Sequence, residues 1–228
     1  MRKNNLKYSK IIILILGLFL FCGCAAERTI QDNRFYSSSP EMLVKVGEEF
    51  NYLGSGSSSE KIYLFNKPNE EAGKANVDFY IFIPKDHKDQ IIRKGVIVSI
   101  HNMETTAINW GIPLFDRSKE SIYDHGVKLI GNENYEYVTM SFETRGLYTG
   151  ELLYKKNILL PVCVIAKRFA CKVDEMTKKQ VTYFEDAELS GFSCKQWENM
   201  KQLSNKQLKF IDGFDRRANR AIQINSVP

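Results

Sequence analysis

The chain is poor in the residues from which catalytic and metal sites are most often built. It has three histidines in 228 residues, His87, His101 and His125, and their scatter gives none of the spacings that bring imidazoles onto one zinc ion. His101-Asn102-Met103-Glu104 lacks the second histidine of a zinc-protease helix, and it follows a strand-like stretch. No Gly-x-Ser-x-Gly elbow exposes a nucleophilic serine. No Gly-Lys-Ser or Gly-Lys-Thr closes Gly54–Ser59, which reads as a loop running into a strand and not as a phosphate cradle. Glu70 with Glu71, and Glu133 with Glu136, read as solvated charge, since nothing holds either pair across a sugar. No metal and no cofactor is therefore expected. Solenoid, propeller and coiled-coil repeats are missing as well.

Long apolar runs are equally scarce. The one that exists, Ile11 to Phe21, is shorter than the roughly 20 residues that cross a bilayer. Arg2, Lys3, Lys7 and Lys10 precede it without an acidic residue, and Cys22-Gly23-Cys24 and polar sequence follow it. That is the layout of a secretory signal, so residues 1–23 are expected to be removed. The signal also explains the formal charge of +5: it holds four of the 32 basic residues and none of the 27 acidic ones. The remainder is near neutral, which excludes a nucleic-acid partner recruited by global basicity.

The stretch Phe21-Cys22-Gly23-Cys24 resembles a lipobox, and the resemblance implies that Cys24 carries lipid as the first mature residue. The membrane is then a partner through N-terminal acyl chains, two or more of which hold stably where one does not. Ala25 in place of aspartate resembles outer-membrane sorting. The expected location is a bacterial membrane, lipid-anchored, on the outer membrane facing the periplasm in a diderm cell. More broadly, Phe82-Ile83-Pro84-Lys85, Gly95-Val96-Ile97-Val98, Glu143-Thr144-Arg145-Gly146 and Phe214-Asp215-Arg216-Arg217, in that order behind the signal, resemble small bacterial lipoproteins of unknown function. The resemblance implies an envelope role and brings no catalytic residues.

About 205 residues remain after the signal, enough for one domain with a sizeable core. Residues 24–41 read as a lipidated N-terminus and flexible tether, polar and serine-rich, and residues 42–228 as the globular part. Strand-like enrichment appears at 61–65, 77–83, 95–100, 135–142, 152–154, 158–166 and 180–184. Short polar links, Lys67–Gly73 among them, favour antiparallel pairing. Ser204-Asn205-Lys206-Gln207 fits a capping box. Leu208, Ile211, Phe214, Ala218, Ala221 and Ile222 then recur at helical spacing, with Lys206, Lys209, Arg216, Arg217 and Arg220 on the opposite arc. The expectation is a single α+β domain, a mostly antiparallel sheet with a C-terminal amphipathic helix packed on it.

Three thiols remain for the mature chain, Cys163, Cys171 and Cys194. If residues 163–171 form one strand, its two cysteines stand roughly 27 Å apart, too far to bridge. A Cys171–Cys194 disulfide is the easier pairing, with three buried free thiols as the alternative. The leading functional expectation is a non-enzymatic binding or structural module with an envelope protein partner, its interaction face being the basic arc of the terminal helix. The rivals are an envelope hydrolase built on Cys194, His101 and His125, and a lipid or ligand carrier.

Overall fold

The structure, a computed structural model, describes residues 26–64, 67–105, 110–111, 114–115, 121–145, 147–198 and 203–225, with the backbone alone at 63, 64 and 67–70. Cys24 and the signal lie outside the described residues. No helix among those described is long and apolar enough to cross a membrane.

Strand periodicity governs most of the chain. Seven strands form one antiparallel sheet: β4 (Phe50–Leu64), β5 (Lys67–Pro84), β6 (Lys94–Met103), β7 (Ile122–Ile130), β8 (Glu133–Glu143), β9 (Cys163–Lys172) and β10 (Thr177–Asp186). Their order is β4-β5-β6-β10-β9-β8-β7. Four short strands make a second sheet, β1 (Arg28–Gln31), β2 (Arg34–Ser38), β3 (Glu41–Val46) and β11 (Ile222–Asn225), in the order β1-β2-β3-β11. Helices α1 (Gly150–Lys155), α2 (Cys194–Glu198) and α3 (Asn205–Ala221) complete the described elements, with a 3-10 turn at Ala187–Ser190. The architecture is broadly α+β and mostly antiparallel, as the sequence suggests, but with two sheets where one is expected.

The small sheet and α3 cover one face of the large sheet. Phe35, Met42, Val44 and Val46 of the former and Ile211, Phe214, Ala218 and Ala221 of the latter meet Phe82, Val96, Val98, Ile100, Ile165, Val181 and Tyr183. We call this the inner face. The helix begins where its capping box places it: Ser204 and Gln207 satisfy each other's backbone donors,. Leu208 is 47% exposed, and Ile222 has left the helix to start β11.

Several expectations are corrected. Residues 28–38 are strands and not a tether, because a short strand needs only two inward residues, and Phe35 and Ser37 supply them. Asp32 and Asn33, both at positive φ, make the two-residue turn between β1 and β2,. Gly54–Ser59 lies inside β4; Gly56 is a glycine because a Cβ there would stand 2.8 Å from the Phe79 ring opposite. Lys67–Gly73 belongs to β5, and Leu152–Tyr154 is helical, within α1.

The disulfide joins Cys163 to Cys194, with Cys171 free and buried, so the expected Cys171–Cys194 pairing is wrong. The cause is strand direction. β9 is one strand, which separates Cys163 from Cys171, but β10 returns antiparallel and ends with Asp186 beside Val164. The chain therefore leaves the sheet at the Cys163 end, and Cys194 follows eight residues later.

Candidate functional site

The outer face of the large sheet differs from the inner one. Apolar groups cover its two ends: Phe79, Ile81, Ile97, Val164 and Phe184 meet Leu153 of α1 at one, and Ala75 and Met103 meet Trp110 at the other. Between them runs a band of polar side chains. Ser99 and His101 alternate outward on β6, and register sets Gln180 beside Ser99 and Lys178 beside His101,. Arg168 on β9 lies beside Thr182.

A directional hydrogen-bond chain crosses this band. The Tyr148 hydroxyl donates to Ser99 Oγ at 3.3 Å, Ser99 Oγ lies 2.9 Å from His101 Nε2, and His101 Nδ1 lies 3.0 Å from Glu60 Oε2. Burial, reinforced by the nearby Lys178 charge, depresses His101 to about 4. The imidazole is thus neutral near pH 7, and one assignment satisfies every member: Tyr148 gives to Ser99, Ser99 to Nε2, and Nδ1–H to the Glu60 carboxylate. Burial opposes ionisation of Glu60, yet the His101 hydrogen bond and the pull of Lys178 and Arg168 hold it below the usual carboxylate range. Burial lifts the Tyr148 phenol to about 12.

Two cations complete the band. Lys178 Nζ sits 3.9 Å over the Trp110 ring, and burial lowers it to about 8. Arg168 lies 4.1 Å over Phe142, its pKa also lowered by burial. Buried cations of the inner face are treated differently. Lys167 pairs with Asp215 at 2.9 Å, Lys179 with Glu133 at 2.7 Å, and Glu185 takes both Nε and Nη2 of Arg217. Glu136, 6% exposed, accepts from the Leu114 backbone N–H. Glu133 and Glu136 are therefore structural partners and not solvated charge.

Ser99, His101 and Glu60 stand in the order of a nucleophile, base and orienting acid. The surroundings are less favourable to acyl transfer. Ser99 and His101 are 0% and 1% exposed, and β6 is hydrogen-bonded on both sides, so the ladders use its backbone N–H groups.

An accessible concavity lies elsewhere, at the edge of the inner face. A cleft of about 810 Å³ is bounded by the segment after β5, the start of β6, the end of β10 and α3. Ile91, Leu189 and Phe210 give it apolar surface, and Lys88, Arg93, Lys94 and Arg217 line it with Asp86, Asp89 and Glu185. Asp186 neutralises Arg93 at 2.8 Å. Arg217 does not belong to a free basic face as expected: three residues after Phe214 and four before Ala221, it shares their side and reaches Glu185,. Lys206, Lys209, Arg216 and Arg220 are exposed.

The hydrolase candidates are not brought together. Cys194 is in the disulfide and packs on the inner core, His101 is on the outer face, and His125 is exposed on edge strand β7. No group of three or more His, Cys, Asp or Glu among the described residues is placed to hold a metal. Ser99, Glu60, Tyr148, Lys178 and Arg168 escape sequence reading, although polar residues at 178, 180 and 182 of a strongly apolar strand are a period-two signal. The chain matches no protein-family model, no curated protein and no solved structure.

Proposed function

We propose that the protein is a lipid-anchored component of the bacterial cell envelope, one α+β unit held to the membrane through Cys24, and that it works by binding a protein partner. The membrane assignment rests on the signal and lipobox-like residues. The binding assignment rests on one observation, the 810 Å³ cleft beside α3. The pairs Arg93–Asp186 and Arg217–Glu185 brace two of its walls, with the carboxylates buried and the arginines partly exposed. Exposed Leu189 and Ile91, 51% and 38% accessible, offer an apolar anchor, and Lys88 and Lys94 offer charge around it.

A photo-crosslinker at Leu189 in the full-length protein, expressed in its own cell, tests this. One envelope protein is expected in the crosslinks, lost when Lys88 and Lys94 are reversed in charge. Capture of nothing above background from either side of the cleft sinks the proposal.

A second reading is favoured by the Ser99–His101–Glu60 order: an envelope hydrolase acting through a serine. Turnover of an ester, peptide or glycoside panel that disappears in Ser99→Ala, with folding intact, would establish it over the binding reading.

A further inference from the structure

The large sheet ends on a strand with an open edge. Among the described residues β7 pairs with β8 alone. Ile130 and Glu133 flank the two-residue turn at 131–132, where Gly131 has φ 59°, so Ile130 exchanges hydrogen bonds with β8. Direction then alternates along the strand. Lys128, Gly126 and Asp124 also bond toward β8, and the N–H and C=O groups of Leu129, Val127 and His125 point away from the sheet. Such a row is a template for another strand.

The side chains indicate which strand fits. His125, Val127 and Leu129 share the outer face, where Val127 and Leu129 are 57% and 67% exposed. Asp124 and Lys128 lie on the other face and make no ion pair among the described residues. Gly126 stands between them without a side chain, because a Cβ there would meet the Tyr137 ring at 2.8 Å.

Set a second β7 antiparallel to the first, with the two-fold axis between the two Gly126 residues. Asp124 of each copy then lies opposite Lys128 of the other, at positions of the type that bring Cα atoms within about 4.5 Å, so both pairs of opposite charges meet. His125 and Val127 exchange the new backbone hydrogen bonds and cover each other on the outer face. A slip of two residues in either direction removes both charge contacts, and a slip of four sets Lys128 against Lys128 or Asp124 against Asp124. An edge lysine ordinarily repels incoming strands; here the strand's own image answers it with an aspartate. We propose that β7 is a self-association edge whose partner is a second copy of this chain, joining two seven-stranded sheets into one. The edge shares no residue with the cleft beside α3.

One strand pair buries less than a standard interface, so a Kd on the order of 100 µM is expected. The test mixes heavy-nitrogen and unlabelled full-length chain in detergent at about 500 µM, several times that Kd, with a carbodiimide, which joins only a carboxylate and an amine in contact. Asp124 and Lys128 of one strand are about 13 Å apart. An amide between them therefore links two copies, and it is expected in mixed-isotope form. Asp124→Lys and Lys128→Asp are each expected to weaken association about tenfold in sedimentation, and an equimolar mixture of the two variants to restore it, since every reversed charge then meets its opposite. The crosslink needs no variant, so the pairing stays testable if either reversal folds poorly. Absence of the mixed-isotope Asp124–Lys128 product would overturn the proposal. Single reversals that associate like the parent chain, or association joined only through other residues, would do the same.

Discussion

The two faces of the seven-stranded sheet are built from the same strands and solve burial in opposite ways. On the inner face the buried lysines and Glu185 each have a partner of opposite charge: Lys167 with Asp215, Lys179 with Glu133, Glu185 with Arg217. Around these pairs the packing is aromatic and aliphatic, with the Phe214 ring tilted against Tyr183, centroids 5.4 Å apart. The outer face keeps a neutral histidine, a serine, a threonine hydroxyl without a partner and two cations that stack on aromatic rings and make no salt bridge among the described residues. Paired groups and close packing hold a fold together, whereas unanswered donors and cations weaken it. The difference separates the face that stabilises the protein from the one with chemistry in reserve.

Substitutions test that division. Phe214→Ala on the inner face is expected to cost about 3 to 5 kcal/mol in urea melts, the range for losing a buried phenyl group; a loss under about 1 kcal/mol would break the comparison. The next effect is one of pH. His101 titrates near 6.5 when unfolded and about 4 when folded, so between these values the unfolded chain binds the extra proton. The stability from a neutral His101 is then complete above pH 6.5 and lost as pH falls toward 4, on the order of 3 kcal/mol. His101→Gln should flatten this part of the stability profile.

A smaller contrast comes from two adjacent lysines. Lys179→Met removes the partner of Glu133 and is expected to cost about 1 to 2 kcal/mol. Lys178→Met removes a cation that burial already disfavours, and is expected to leave stability unchanged or raise it by about 1 kcal/mol. Equal losses in the two variants would erase the distinction between the faces. Lys209→Glu, on the exposed arc of α3, should stay within about 0.5 kcal/mol.

Much of the scaffold was legible because local signals were strong. The α3 capping box and the apolar runs of β5, β6, β8 and β10 sit where periodicity put them. Residues 28–38 were misread because two inward side chains per strand are too few for a periodic signal, and Gly54–Ser59 because glycine and serine mark loops except where a facing ring requires a missing Cβ. The disulfide needed the β9–β10 hairpin before its end could be chosen. The polar band was harder still. Ser99 and His101 lie two apart and could have been paired by alternation, but Glu60 reaches His101 only through the register of a long β4–β5 hairpin with several shifts. Thr149 and Arg168 line one small cavity only because the chain folds back over the sheet. Such contacts belong to topology and have no local pattern.

The small sheet has a further consequence. Its strands β1, β2 and β3 come from the start of the described chain, and β11, which pairs with β3 from Leu43 to Val46, comes from its end. The edge of β3 therefore stays unpaired until nearly the whole sequence is available, and its closing contacts span almost 180 residues. Contacts of that range make folding slow and keep it from completing on a partial chain. A polypeptide arranged this way completes its small sheet only once the segment that carries β11 has been made.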